Sequence, residues 1–153
     1  MPSTGPLHHI DLSVGDPARS IPFYAAFLGA LGYERLDVRL PDWHGAHATR
    51  ATWSLRYPGG GRFEVEVRPA RPESGGRRYD RYEPGPHHFA FHAESRSRVD
   101  RVHEAMRAVG AEVLDPPRDY GGRAGYGEGY YALFVADPDG FKLEVVHLPE
   151  ANP

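Results

Sequence analysis

The chain repeats itself, and the repeat limits what it can fold into. A strand-like run, LHHIDLSV (7–14), is followed by an apolar set at Ile21, Tyr24, Leu28 and Leu31. The same set recurs 78 positions later as Val99, Val102, Met106 and Val109, after a second strand-like run, HHFAFHA (87–93). The i, i+3, i+7, i+10 spacing marks one face of a helix in each half. Both patterns end at a glycine, Gly32 and Gly110, as helix C-termini commonly do. YERLD follows the first and AEVLD the second. A duplicated module with small loop changes accounts for this order.

The reading along the chain is strand, helix, strand, strand, strand, twice. Asp16-Pro17 looks like an N-cap followed by proline at the first helical position, with a helix to about Leu31. Pro22 falls at its second turn, where a proline removes a bond or kinks the helix. Segments 33–40 and 48–57 are strand candidates separated by a Pro-Asp-Trp-His-Gly loop. RFEVEVR (62–68) alternates as a half-buried strand does. Segment 69–86 lacks periodicity and reads as a linker. In the second half, Glu94 to Val109 is the helix and 111–115 a strand. Segment 116–129 is a Gly- and Tyr-rich loop, and 130–137 and 141–148 are strands joined by a Pro-Asp-Gly turn. The expected organisation is one domain over 1–153, built of module 7–68 and module 87–148 with linker 69–86.

The modules also repeat a chemistry. His9 is followed by Glu64 in GRFEVEV, and His88 by Glu144 in GFKLEVV, at nearly equal distances. Alternation places His9, Asp11 and Ser13 on one face of their strand, and His88, Ala90 and His92 on one face of theirs. Glu64 and Glu144 fall on the corresponding faces, away from the helix-packed side. Imidazole and carboxylate together suit Zn, Ni, Co, Mn and Fe(II). Glu66 competes with Glu64 for the first-module role, although Gly60 to Glu64 reproduces the spacing of Gly140 to Glu144. His8 and His87 are expected to face the opposite side as structural residues. His44 and His47 are read as surface residues of a loop, and His103 as exposed on a helix. Asp11 and His92 share the cleft face and are candidate substrate contacts. Trp53, Tyr57, Tyr120, Tyr126, Tyr130 and Tyr131 are candidates to line a pocket for a flat ligand, with core packing as the alternative. The glycine-rich stretch 121–129 lacks the strand-loop-helix setting of a phosphate loop.

Composition excludes several classes. With no cysteine, disulfides, thiolate metal sites and cysteine nucleophiles are impossible. A net charge of −3 gives no electrostatic case for nucleic acid or an anionic membrane. No apolar run approaches the roughly 20 residues that span a bilayer. MPSTGP lacks the charged and apolar regions of a signal peptide, so a cytoplasmic location is expected.

LHHIDLSVGDPARSIPFY, HHFAFHAESRSRVDRV and YYALFVADPDGFKLEVV resemble the signature stretches of the vicinal oxygen chelate superfamily, over about residues 7–148. That superfamily includes glyoxalase I, bleomycin- and fosfomycin-resistance proteins, methylmalonyl-CoA epimerases and extradiol dioxygenases. The resemblance implies an α+β fold in which two βαβββ modules form a curled mixed sheet around one cleft. It implies His9, Glu64, His88 and Glu144 as ligands of a divalent metal ion, with Glu144, then Glu64, as the catalytic base. The function it implies is a metal-dependent glyoxalase-like lyase or isomerase acting on a small substrate that chelates through adjacent oxygens. Two alternatives stand beside it. One is a non-catalytic binding protein that sequesters an aromatic antibiotic or natural product. The other is an Fe(II) extradiol dioxygenase, which a second carboxylate in the ligand set disfavours. A homodimer is also implied.

Overall fold

The structure is a computed structural model that describes residues 7–36, 50–74 and 76–149. His44, His47, the loop that carries them and the end of the 33–40 strand candidate lie outside the described residues. The chain divides into two compact units, Met1–Arg77 and Arg78–Pro153.

In the first unit, β1 (His9–Val14) leads into α1 (Pro17–Ala30), followed by β2 (Glu34–Leu36), β3 (Ala51–Arg56) and β4 (Arg62–Pro69). The second unit repeats the order as β5 (Phe89–His92), α2 (Arg96–Ala108), β6 (Glu112–Asp119), β7 (Tyr131–Ala136) and β8 (Lys142–His147). Each unit is thus a βαβββ module with one four-stranded mixed sheet, ordered β1-β4-β3-β2 and β5-β8-β7-β6. In each, the first strand pairs parallel to the last, and the remaining pairs are antiparallel. The α+β class implied by the resemblance is the observed one.

The helices start and stop for local reasons. The Asp16 side chain accepts from the Ala18 amide at 2.9 Å, and Ser95 caps α2 by accepting from Arg98 at 3.2 Å. Each cap satisfies an amide that the first turn leaves without a partner. Pro22 does not end α1, which continues to Ala30. It removes only the bond to the carbonyl four residues back, at exposed Ala18, which water can satisfy. Both helices close identically. Gly32 donates to Gly29 (3.0 Å) and Tyr33 to Leu28 (2.9 Å), while Gly110 donates to Arg107 (3.1 Å) and Ala111 to Met106 (2.9 Å). This paired 5→2 and 6→1 pattern needs a left-handed residue, supplied by Gly32 at φ 91° and Gly110 at φ 69°.

Each helix covers one face of its own sheet. Tyr24, Phe27 and Leu28 of α1 are buried with Val65, Val67 and Trp53. In the second unit Val99, Val102 and Met106 of α2 are buried with Leu133, Val135, Leu143 and Val145. Fully burying one such side chain stabilises the fold by about 1.5–3 kcal/mol. Val109 is a correction to the periodicity. It is 46% exposed, whereas Leu31, the cap residue at the equivalent place in α1, is 8% exposed.

β6 is a second correction. The segment expected to be loop from Pro116 continues as strand to Asp119. Prolines cannot donate to a ladder, so they are confined to edges and bulges. Here Pro116 and Pro117 lie on an edge strand whose pairing with β7 shifts register between Val113 and Asp115 and again between Asp115 and Arg118.

Candidate active site

The face of each sheet turned away from its helix carries the polar side chains, and each unit arranges them differently. In the first unit the parallel ladder sets His9 opposite Glu64, Asp11 opposite Glu66 and Ser13 opposite Arg68. Arg68 donates to Glu66 through Nε (3.0 Å) and Nη2 (2.6 Å), and its Nη2 also reaches Asp11 at 2.8 Å. Thr52 donates to the other Glu66 oxygen at 3.2 Å. Glu66 is 7% exposed, and this network is what makes burying its charge tolerable. Glu64 instead pairs with Arg62 at 2.9 Å, and the Arg62 side chain is 53% exposed. The Glu64 side chain is 17% exposed, and an ion pair whose cation stands in water contributes about 0–1 kcal/mol.

In the second unit, no guanidinium among the described residues is bonded to Glu144. Its carboxylate, 3% exposed, has His88 Nε2 at 3.0 Å from Oε2 and accepts a hydrogen bond from the Tyr130 hydroxyl on Oε1. The Tyr130 phenol is held well above its ordinary value, first by burial and then by that bond, so it is a donor at neutral pH. His88 precedes β5 and reaches Glu144 diagonally. The residue opposite Glu144 in the ladder is Ala90, whereas His9 lies opposite Glu64. The hairpins agree more closely: Ser54 pairs with Glu64 as Phe134 pairs with Glu144.

The vicinal histidines depart from the sequence expectation. His8 and His87 do not turn away from their neighbours. Nδ1 of His8 lies 2.9 Å from Nδ1 of His9, and Nδ1 of His87 lies 2.7 Å from Nδ1 of His88. Strand alternation does not govern these positions, because β1 begins at His9 and β5 at Phe89. In the His88 tautomer that gives Nε2–H to Glu144, Nδ1 accepts and His87 Nδ1–H donates. Burial first, with the Lys142 and Arg81 charges adding to it, lowers the His87 basicity.

The remaining candidates separate by face. His92 is exposed on β5, opposite Val146 and on the Glu144 side. Tyr120 is buried on that side too, in a cluster with Ala132, Phe134 and Val146 against which Tyr126 and Tyr130 pack. Its hydroxyl donates to Asp115. Tyr131 points to the helix side, donating to Asp100 of α2 at 2.7 Å with Arg96 over its ring. Trp53 is a core residue opposite Val65, on the helix-packed face, with Arg35 against the indole. The residue whose part the sequence least disclosed is Tyr130. It stood among several tyrosines, and its one signal is the YY start of the strand that pairs with the strand of Glu144. Among the described residues, no three or more His, Asp or Glu side chains are grouped in metal-holding geometry. Each unit offers an imidazole and a carboxylate.

The geometry agrees with known proteins. The sequence profile of the Glyoxalase/Bleomycin resistance protein/Dioxygenase superfamily matches residues 6–145. The uncharacterized protein YqjT of Bacillus subtilis (strain 168) is 36% identical over 140 residues, covering 92% of this chain and 97% of that protein. Among solved structures, a Bacillus halodurans chain assigned as a glyoxalase is similar at TM-score 0.68 and 27% identity, covering 94% of this chain and 96% of that one. Lactoylglutathione lyase from Agrobacterium tumefaciens shares the fold at TM-score 0.58 and 20% identity, with 96% of each chain covered. The fosfomycin resistance protein FosX from Listeria monocytogenes does so at TM-score 0.56 and 19% identity, with 97% of each covered. The chain belongs to the glyoxalase/bleomycin resistance protein/dioxygenase superfamily.

Proposed function

We propose that this protein is a metal-dependent, glyoxalase-like lyase or isomerase acting on a small substrate that chelates through adjacent oxygens. The observation that carries the reading is the buried Glu144 carboxylate, held by His88 and Tyr130 without a guanidinium on the polar face of its sheet. By the family resemblance, His9, Glu64, His88 and Glu144 would hold the ion. The donor chemistry fits Zn, Ni, Co, Mn or Fe(II), because two carboxylates offset the divalent charge and imidazoles add affinity without charge. Of the first-unit carboxylates, Glu64 suits the role better, since taking Glu66 would break a buried network. When bound, such an ion supplies Lewis-acid stabilisation of negative charge developing on a chelated oxygen.

The chain's own groups do the rest. Glu144 is the base that accepts a proton from the substrate carbon, a placed-base effect worth about 10²–10⁴-fold. Its burial beside an imidazole and a phenol favours that role over Glu66, whose charge is neutralised by Arg68. Tyr130 holds Oε1, leaving Oε2 as the oxygen that exchanges partners. Phe134 and Val146 border the carboxylate with apolar surface that keeps water from competing for the proton.

Metal analysis of protein purified without chelator, with His9→Ala and Glu144→Gln beside it, tests the reading. The expectation is stoichiometric divalent ion in the parent and loss in both variants. Absence of stoichiometric metal under every loading condition would end it.

The tyrosine cluster favours a second reading, a non-catalytic protein that sequesters an aromatic compound. Tyr120, Tyr126, Tyr130 and Phe134 make a ring-rich wall on the Glu144 side. Tight binding of a planar aromatic ligand that survives chelation, with no turnover, would select it. Both readings place the protein in a homodimer, as superfamily members often form, and sedimentation measures that directly.

A further inference from the structure

We propose that Tyr130 is a positioning residue that fixes Glu144 as a one-oxygen donor, an inference that rests on the metal-dependent reading above. The two carboxylate oxygens have different partners. Oε1 accepts from the Tyr130 hydroxyl, and Oε2 faces His88 Nε2 at 3.0 Å. Metal binding requires both His88 Nε2 and a Glu144 oxygen to give up their mutual hydrogen bond. The Oε1 bond to Tyr130 needs no such change, so it persists and leaves Oε2 as the donor.

Tyr130 is itself held. Its ring packs edge-on against Tyr126 at 4.8 Å and Tyr120 at 6.5 Å, and its backbone carbonyl accepts from the Tyr120 amide at 2.7 Å. Tyr120 in turn lies against Phe134, which pairs with Glu144 across the sheet. The hydroxyl is therefore delivered by a packed aromatic wall and not by a flexible arm. Among the described residues, no tyrosine hydroxyl is bonded to Glu64. Glu64 meets Arg62, an exposed cation, so the two glutamates are inequivalent and the second is the better oriented. Partners of this kind, bonded to a metal ligand but not to the metal, typically change affinity by about 10–100-fold when removed.

Tyr130→Phe keeps the ring and removes only the hydroxyl. Three readouts decide the matter: calorimetric titration with cobalt(II), the cobalt(II) visible absorption spectrum, and the crystal structure of the metal-free variant. The expected result is cobalt binding weakened by about 10–100-fold, an altered spectrum, and a Glu144 side chain moved from its parental position. Tyr126→Phe, which alters a hydroxyl of the same cluster, should leave affinity and spectrum unchanged. Parental affinity and an unmoved Glu144 in Tyr130→Phe would overturn the proposal, as would an equal loss in Tyr126→Phe. If the parent binds no divalent ion, the functional reading fails by itself. The variant structure then still decides the positioning role: a displaced Glu144 supports it, an unmoved one overturns it.

Discussion

His88 and Glu144 meet at 3.0 Å across the start of β5 and the middle of β8, 56 residues apart in the chain. The imidazole is part-exposed and the carboxylate almost fully buried. Within this unit, a buried carboxylate touches a reachable nitrogen base without a guanidinium bonded to it. Cobalt(II) titration should find affinity reduced by at least about tenfold in both Glu144→Gln and His88→Ala. Unchanged affinity in either would remove that residue from the ligand set.

The first unit offers a sharper comparison. Glu64→Gln should weaken metal binding while leaving stability nearly unchanged, because its Arg62 partner is exposed. Glu66→Gln should do the reverse. It leaves the buried end of the Arg68 and Thr52 network imperfectly satisfied, at about 1–3 kcal/mol. Urea denaturation beside metal titration separates the two. The opposite pattern would make Glu66 the ligand.

Core packing gives a prediction independent of function. Met106→Ala should destabilise by about 2–5 kcal/mol, since its side chain is fully buried between α2 and the sheet. Val109→Ala, at the next position of the same apolar series, should change stability by no more than about 0.5 kcal/mol. Thermal melts of the pair check this, and similar losses in both would contradict the exposed placement of Val109.

High pH should unmask the phenols whose ionisation the fold opposes. Burial first, then the carboxylates of Asp115 and Asp100, push Tyr120 and Tyr131 up to about 12, and burial alone does so for Tyr33. An unfolded tyrosine ionises near about 10. The folded state thus binds protons more tightly in this interval. The stability these groups contribute is fully present below the unfolded value and is lost as pH rises through the folded one. Phenolate absorbance should show a fraction of the nine tyrosines ionising only near about 12, together with loss of circular dichroism. Ionisation of all of them near the unfolded value, with the fold intact, would refute it.

The residues alone determined the duplicated βαβββ order, both helices with their glycine stops, and the face of each sheet that carries the acids. Those features are encoded by short-range periodicity, 3.6 for α1 and α2 and 2 for β4 and β8, and by local caps at Asp16 and Ser95. Tertiary structure decided the rest. Pro116 and Pro117 read as loop because a proline cannot serve an inner strand, and only sheet order shows that β6 is an edge. Trp53, Tyr120, Tyr130 and Tyr131 look alike as aromatic residues near strands. One belongs to the core, one to the helix side and two to the Glu144 side, because register sets a side chain's partners. The separate fates of Glu64 and Glu66 follow from where Arg62 and Arg68 come to rest. The same physics underlies each case: local sequence specifies a conformation, but the partner that makes a buried charge bearable comes from a distant part of the chain and exists only once the sheet has formed.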